Sequence, residues 1–196
     1  MVEKHRLRKA CLAERKALGD DEYRRRCNLL HQHFIRWDSN LRASVYHVFL
    51  PIVKKREPDT WPLINYLMDH DKKVVVSKSD LNSNLLTHYY LEERSQLQEN
   101  KWGIPEPTEG IIASTNQIDV VLIPLLTFDG NGHRIGYGKG YYDRFLKDCR
   151  SDVLKLGISI LSPAQTAFEV EPHDIPMNAC ITHEQIYRFG KTDAQR

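Results

Sequence analysis

The run of apolar residues from Val120 to Ile123 is the feature that most limits how this chain can fold. Four consecutive apolar side chains leave no polar face, which is the pattern of a strand covered on both faces of a parallel sheet. A glycine-rich segment follows at residues 134–143, then a helical pattern to about Arg150 and an apolar run at 154–160. This order predicts a βαβ unit with a ligand at the carboxyl end of its first strand.

Periodic patterns elsewhere predict further helices and strands around this unit. Apolar residues recur at helical spacing in residues 2–18, 23–37 and 61–68, and strand patterns occupy residues 43–50, 73–77, 85–91 and 180–189. Alternation of strands and helices predicts an α/β protein, and specifically a three-layer α/β/α sandwich with a mostly parallel central sheet. With 196 residues, 41% of them apolar, we expect one domain spanning residues 1–196.

Composition argues against several classes of protein. The 28 basic and 26 acidic residues nearly balance, whereas a nucleic-acid binder concentrates basic charge on one face. The four cysteines form no C-x-x-C pair, so neither a zinc ribbon nor a disulfide framework is indicated. The N-terminus has no apolar signal region, and no run reaches the length of a membrane span. We therefore expect a cytoplasmic protein with no nucleic-acid or membrane partner. We also expect a monomer, although composition does not determine the oligomeric state.

The segment around Lys139 is the strongest candidate for a binding site. Gly136, Gly138 and Gly140 alternate, so the backbone N–H groups between them can approach a ligand closely. Lys139 adds a mobile positive charge, and the N-terminus of the following helix also attracts anions. Position 141 is Tyr and Gly140 follows the lysine, which rules out both a dinucleotide fingerprint and a Walker A loop. The segment predicts a phosphate cradle, with a structural turn as the alternative.

Acidic and basic residues near this cradle suggest its cofactor and its ligand. Asp143 follows the cradle directly, and Mg²⁺ is held by one or two carboxylates together with phosphate oxygens. The alternative for Asp143 is a carboxylate that stabilises the first turn of its helix. Lys4 and Arg8 share one helix face and can converge on an anion, although a solvated helix face is the plainer interpretation.

These residues resemble the signature of a known family. The segment Gly136-Tyr137-Gly138-Lys139-Gly140-Tyr141-Tyr142-Asp143 is similar to the signature of the 5-formyltetrahydrofolate cyclo-ligases, also called 5,10-methenyltetrahydrofolate synthetases. Other matches follow the family order over nearly the whole chain, namely Lys4-x-x-x-Arg8, Glu57-x-Asp59-Thr60, Trp102-x-Ile104-Pro105-x-Pro107 and Pro172-His173-Asp174.

The resemblance implies an ATP- and Mg²⁺-dependent enzyme that converts 5-formyltetrahydrofolate to 5,10-methenyltetrahydrofolate and releases ADP and phosphate. It implies catalytic roles for Lys139, Arg134 and Tyr141, and Mg²⁺ ligation by Asp143 and Asp174. The ATP-binding residues that it implies are Lys4, Arg8, Arg134, Gly136, Tyr137, Gly138, Lys139, Gly140, Tyr141 and Tyr142. The folate-binding residues that it implies are Leu50, Glu57, Trp102, Tyr137, Gly138, Lys139, Gly140 and Tyr141.

The sequence also departs from the family pattern and leaves other functions open. Asn178 stands where many members have an aspartate, and Ser77-Lys78-Ser79 replaces aromatic residues found in some relatives, which bears on the folate pocket. One alternative is a sugar-phosphate isomerase or deaminase, or a CoA-transferase-like enzyme of related α/β fold. Another is a non-catalytic nucleotide- or RNA-binding module that uses the basic N-terminal helices.

Overall fold

The computed structural model describes residues 3–80, 83–100 and 103–190, so the predicted folate contact Trp102 lies outside the described residues. The helices in these ranges are α1 (Lys4–Ala17), α2 (Asp20–Asp38), α3 (Trp61–Asp69) and α4 (Tyr141–Lys147). The strands in these ranges are β1 (Val45–His47), β2 (Lys73–Ser79), β3 (Leu86–Leu91), β4 (Leu97–Glu99), β5 (Pro105–Pro107), β6 (Val120–Pro124), β7 (Thr127–Phe128), β8 (Arg134–Ile135), β9 (Leu154–Ile158), β10 (Ala179–Ile181) and β11 (Ile186–Arg188).

Seven of these strands form the central sheet, in the spatial order β11-β10-β9-β6-β1-β2-β3. Neighbours from β10 to β2 run parallel, whereas β11 and β3 at the two edges run antiparallel to the strands beside them. Two short ribbons, β4 with β5 and β7 with β8, stand apart from this sheet. The mostly parallel sheet confirms the prediction.

Strand β6 shows why the fold has three layers. Val120 and Leu122 pack in one core cluster with the buried side chains of α2 and α3, whereas Val121 and Ile123 pack in another with those of α4. Successive side chains of a strand point to opposite faces, so an unbroken apolar run is buried only where both faces are covered. The α/β/α sandwich predicted from this run is therefore confirmed.

The connections of β1 and β6 create a crevice between them. Strand β1 leads through α3 to β2 on one side of the sheet order, and β6 leads through α4 to β9 on the other side. The two crossovers diverge where β1 and β6 lie side by side. In open α/β sheets, ligands bind outside the carboxyl ends of the strands at such a switch point.

Several predicted elements differ from the structure at their ends; the strand predicted for residues 43–50, for example, is only the three residues of β1, Val45–His47. The single strand predicted for residues 180–189 is instead the antiparallel pair β10 and β11, because the hydroxyl of Thr182 accepts the N–H groups of Glu184 and Gln185 and turns the chain. Helix α4 ends at Lys147 rather than near Arg150. A helix of seven residues is a weak source of anion binding, so an anion at this loop would depend on the loop amides and nearby cations.

A polar chain crosses three neighbouring strands on the α4 side of the sheet. His47 Nε2 lies 2.7 Å from Ser77 Oγ, which lies 2.9 Å from His88 Nδ1. The ring of Phe145 packs against both histidines. Burial holds the pKa of His47 well below its ordinary value and lowers the pKa of His88 to about 4. Both imidazoles are therefore neutral at physiological pH.

We predict that acid destabilises the protein through this chain. The unfolded protein takes up a proton on His88 near its ordinary pKa, whereas the folded protein resists until pH about 4, so stability falls as the pH drops through this window. For His88 the loss amounts to about 3 kcal/mol across the window. Urea unfolding at several pH values should show a shallower decline in His88→Gln than in the wild type. An unchanged decline would contradict the prediction, and the exposed His5→Gln serves as the control.

Candidate active site

A cavity of about 440 Å³ lies at the switch point of the sheet. Residues that follow β1 and β6 line it, together with the ends of β2 and the start of α1. It contains all the predicted site residues in the described part of the chain, which are Lys4, Arg8, Leu50, Glu57, Arg134, Gly136, Tyr137, Gly138, Lys139, Gly140, Tyr141, Tyr142, Asp143 and Asp174. The structure thus brings together side chains from both ends of the sequence.

The glycine-rich loop has a backbone that requires glycine at two of its positions. Gly138 and Gly140 have φ values of +86° and +68°, which L-residues rarely adopt. A Cβ at Gly138 would also lie 3.0 Å from the guanidinium of Arg8. Arg8 Nε donates a hydrogen bond to the carbonyl of Gly136 at 2.8 Å, so α1 braces the loop from outside.

Lys139 lies exposed at the apex of this loop and lines the cavity. Within the described part of the chain, its ammonium group has no hydrogen-bond or ion-pair partner of its own. Lys4 and Arg134, by contrast, are already paired with carboxylates. A cation without a described protein partner, beside glycine-rich loop amides, is the arrangement expected of a phosphate contact.

Asp143 accepts hydrogen bonds through only one of its two carboxylate oxygens among the described residues. Its Oδ1 accepts a hydrogen bond from Arg134 Nη2 at 2.6 Å and another from the N–H of Ile175 at 3.2 Å. Arg134 also donates to the carbonyl of Ile175 at 2.5 Å. The side chain of Asp143 therefore ties the cradle to the segment near residue 175. Among the described residues no hydrogen bond reaches its Oδ2.

Asp174 shows a similar pattern. Its Oδ2 accepts from Lys4 Nζ at 2.5 Å and from the N–H of Glu171 at 2.8 Å. Partial burial alone would raise the pKa of Asp174, but these two hydrogen bonds bring it below its ordinary value. This carboxylate is ionised at neutral pH, and its Oδ1 accepts no hydrogen bond within the described chain.

The donor chemistry fits Mg²⁺ held jointly with a phosphate ligand. No group of three or more His, Cys, Asp or Glu side chains in the described ranges could hold a metal alone. Mg²⁺ does not require such a cage, since it keeps several waters and takes one or two carboxylates plus phosphate oxygens. Asp143 and Asp174 both line the cavity, and each has one carboxylate oxygen that accepts no described hydrogen bond.

Glu57 is the most deeply buried acid of the cavity, with 3% of its surface exposed. Its Oε1 accepts from the hydroxyl of Tyr137 at 2.5 Å, and its Oε2 accepts from the N–H of Ile52 at 2.8 Å. Burial raises the pKa of Glu57, and the hydrogen bonds from Tyr137 and Ile52 oppose that rise. This burial excludes a solvated loop acid.

The two tyrosines after the cradle occupy different environments. The hydroxyl of Tyr141 donates to the carbonyl of Asp80 at 3.3 Å, and Tyr141 lines the cavity. Tyr142 packs edge-on against His47 and against residues of both core clusters, so it also contributes to the packing of the core. Leu50 is buried and lines the cavity just beyond β1.

Sequence reasoning missed two basic residues of this site. Arg15 donates to the hydroxyl of Tyr137, and the Lys55 ammonium lies 4.3 Å from the centroid of the Tyr137 ring. The position of Arg15 was available, because it continues the helix face that carries Lys4 and Arg8. Lys55 lies in a short 3₁₀ turn, Val53–Lys55, and no periodic pattern in the sequence predicts that conformation.

The fold and the cavity together define an α/β protein with a cavity at the switch point of a mostly parallel sheet. Nucleotide- and cofactor-binding enzymes are common in this class.

No helix in the described ranges has both the length and the apolar character needed to cross a membrane.

Comparisons with known proteins agree with one another. The model of the 5-formyltetrahydrofolate cyclo-ligase family matches residues 1–183. The 5-formyltetrahydrofolate cyclo-ligase of Mus musculus is 31% identical over 141 residues, which cover 68% of this chain and 68% of that protein. The protein of the same name from Escherichia coli K12 is 30% identical over 139 residues, covering 68% of this chain and 75% of that protein.

Solved structures show the same likeness. The NMR structure of Aquifex aeolicus 5,10-methenyltetrahydrofolate synthetase has a TM-score of 0.76 and 25% identity, and the match covers 98% of this chain and 96% of that one. The 5,10-methenyltetrahydrofolate synthetase of Mycoplasma pneumoniae shares the fold, with a TM-score of 0.75 and 23% identity over 93% of this chain and 99% of that one.

The chain belongs to the 5-formyltetrahydrofolate cyclo-ligase family, a family of ligase enzymes. This membership decides against the sugar-phosphate isomerase or deaminase and CoA-transferase-like alternatives. It also decides against a non-catalytic nucleotide- or RNA-binding module.

Proposed function

We propose that this protein converts 5-formyltetrahydrofolate to 5,10-methenyltetrahydrofolate with consumption of ATP in the presence of Mg²⁺. The observation that supports this most directly is the placement of the cradle and the buried Glu57 in one cavity. The cradle suits the phosphates of ATP, and a buried carboxylate suits the N–H groups of a pterin ring. Both co-substrates would then meet at the switch point.

The reaction needs activation because a formamide oxygen is a poor leaving group. The formyl oxygen attacks the γ-phosphorus of ATP, the bond between that phosphorus and its bridging oxygen breaks, and ADP leaves. N10 then attacks the activated formyl carbon and loses its proton, and the phosphorylated oxygen departs as phosphate. The protein mainly positions the reactants and stabilises charge, as is usual in phosphoryl transfer.

Each side chain has a role that matches its environment. Lys139 and the amides of the loop stabilise the transferred phosphate, and Arg134 adds charge beside them. Lys4 and Arg8 hold ATP from α1. Leu50, Glu57 and Tyr141 hold the folate together with Trp102, whose assignment rests on the family resemblance alone.

Asp143 and Asp174 would hold the Mg²⁺ through the oxygens that accept no described hydrogen bond. When bound, the ion neutralises phosphate charge during transfer. Arg134 and Lys4 orient the two carboxylates before any ligand arrives.

The test is a spectroscopic assay with purified protein. We expect the absorbance of methenyltetrahydrofolate to rise when 5-formyltetrahydrofolate, ATP and Mg²⁺ are all present, with ADP and phosphate formed in equal amounts to the product. Omission of ATP or chelation of the metal should abolish the rise. Product formation without ATP, or no product under the full conditions, would contradict the proposal.

We predict that Arg8→Ala and Lys4→Ala each raise the KM for ATP about tenfold, because each removes a charge-assisted contact. The KM for 5-formyltetrahydrofolate should change less. Arg6→Ala is a matched control, since Arg6 lies exposed on the same helix. Folded variants with a wild-type KM for ATP would show that these residues only brace the loop and pair with Asp174.

We also infer that residues 1–196 act as a single cytoplasmic domain, as a monomer and without nucleic acid or membrane. All four cysteines lie in the described chain as free thiols, which suits a reducing compartment.

A further inference from the structure

Arg15 is a buried cation without an ion-pair partner among the described residues. It lies in the last turn of α1, only 2% of its surface is exposed, and no described carboxylate lies within ion-pair distance of it. A buried charge is costly unless other groups compensate it. The described contact of its guanidinium is a hydrogen bond to the hydroxyl of Tyr137, and its Nε has no partner in the described chain.

Tyr137 connects this cation to Glu57. Its hydroxyl lies between the guanidinium of Arg15 and Oε1 of Glu57, which is 2.5 Å away. A guanidinium can only donate and an ionised carboxylate can only accept, so the phenolic proton must point to Glu57. The N–H of Ile52 fixes the other carboxylate oxygen. The relay therefore sets both the position and the direction of the Glu57 hydrogen bonds.

The charged and titratable groups around Glu57 come from four elements. Arg15 belongs to α1, Lys55 to the 3₁₀ turn, Tyr137 to the glycine-rich loop and Tyr142 to α4. Burial raises the pKa of Glu57, whereas the hydrogen bonds and the charges of Arg15 and Lys55 oppose the rise. Of the two cations, Arg15 is the one that is directly linked to the carboxylate through a hydrogen-bonded group.

We propose that Arg15 is a positioning residue for the folate end of the cavity: through the hydroxyl of Tyr137 it holds the Glu57 carboxylate in the orientation that receives the pterin N–H groups. Each oxygen of Glu57 accepts one described hydrogen bond and keeps a second lone pair for the ligand. The proposal rests on the proposed function, because the contact of Glu57 with folate belongs to it.

The experiment compares Arg15→Met, Tyr137→Phe and the double variant with the wild type in steady-state assays. Arg15→Met should raise the KM for 5-formyltetrahydrofolate about tenfold and leave the KM for ATP within about twofold. The acid limb of its kcat/KM profile should move to higher pH, since Glu57 loses a stabilising positive charge. Arg26→Met is the control, because Arg26 bonds to Glu22 and to the Ile160 carbonyl outside the cavity.

The double variant tests whether the effect passes through Tyr137. If it does, the KM for 5-formyltetrahydrofolate in the double variant matches that of Tyr137→Phe alone, since the relay is already broken. If the increases in KM for 5-formyltetrahydrofolate in the two single variants multiply in the double variant, the proposal is overturned. Equal increases in the KM values for ATP and for 5-formyltetrahydrofolate would also overturn it, because they indicate a general loss of structure in the cavity. If Arg15→Met fails to fold, Tyr137→Phe decides: a wild-type KM for 5-formyltetrahydrofolate overturns the proposal, and a selective increase with a shifted acid limb supports it.

The outcome also separates this proposal from the function on which it rests. Turnover by the wild type with an unchanged KM and acid limb in Arg15→Met overturns the role of Arg15 alone. Absence of methenyltetrahydrofolate in the wild-type reaction overturns both.

Discussion

Lys139→Ala should lower kcat about 30- to 1000-fold, which corresponds to roughly 2 to 4 kcal/mol of transition-state stabilisation. The reason is that the ammonium group stands free of described protein partners at the apex of the cradle, so its charge is available to the transferred phosphate. Its removal should not affect folding, because no described ion pair or side-chain hydrogen bond is broken. Thermal unfolding measured beside the kinetics should therefore show a midpoint close to that of the wild type.

Lys147→Ala provides a matched control for this experiment. Lys147 lies exposed in the last turn of α4 and does not line the cavity, so its removal should change neither kcat nor stability. A second substitution, Lys139→Arg, keeps the charge but changes its shape, and we expect it to restore part of the rate. A near-normal kcat for a folded Lys139→Ala protein would mean that the segment is a structural turn.

Much of the fold follows from local patterns in the sequence. The apolar run of β6 predicts a strand covered on both faces, and the structure places it at the centre of the sheet. The alternating glycines predict a loop with unusual backbone angles, which Gly138 and Gly140 have. These features can be predicted from the sequence because burial and backbone strain act on residues that are close together in the chain.

Contacts between distant segments were beyond such reasoning. Arg15 and Tyr137 are 122 residues apart, and nothing near either residue indicates the other. The chain of His47, Ser77 and His88 likewise depends on the register of three strands, which a single sequence does not specify. Hydrogen bonds of this kind form only after the helices and strands have packed together. Local sequence patterns therefore do not predict them.

The predicted Mg²⁺ ligand Asp143 illustrates the same limit. The sequence offered two interpretations, a metal ligand and a helix-stabilising carboxylate. The structure adds a third role, which is to anchor neighbouring groups: Oδ1 of Asp143 accepts hydrogen bonds from Arg134 and from the N–H of Ile175. A variant must therefore separate loss of the ion pair with Arg134 from loss of a metal ligand.

Asp143→Asn makes this separation. The amide keeps an oxygen that can accept both hydrogen bonds, but the side chain loses its negative charge. If Asp143 holds Mg²⁺, we expect the Mg²⁺ concentration for half-maximal activity to rise and kcat to fall about 10- to 100-fold. Stability should fall by about 1 to 3 kcal/mol, because Arg134, whose side chain is 8% exposed, retains a charge without its counter-ion.

The readouts are activity over a range of Mg²⁺ concentrations, thermal unfolding, and calorimetric binding of Mg²⁺ in the presence of ADP. Asp148→Asn is the control, since Asp148 lies exposed just after α4 and outside the cavity. Mn²⁺ should support turnover by the wild type, because an oxygen-only set of ligands accepts it, whereas Zn²⁺ normally recruits nitrogen or sulfur. If Asp143→Asn is less stable than the wild type but binds Mg²⁺ and turns over normally, Asp143 only anchors Arg134, and the metal must depend on Asp174 and other groups.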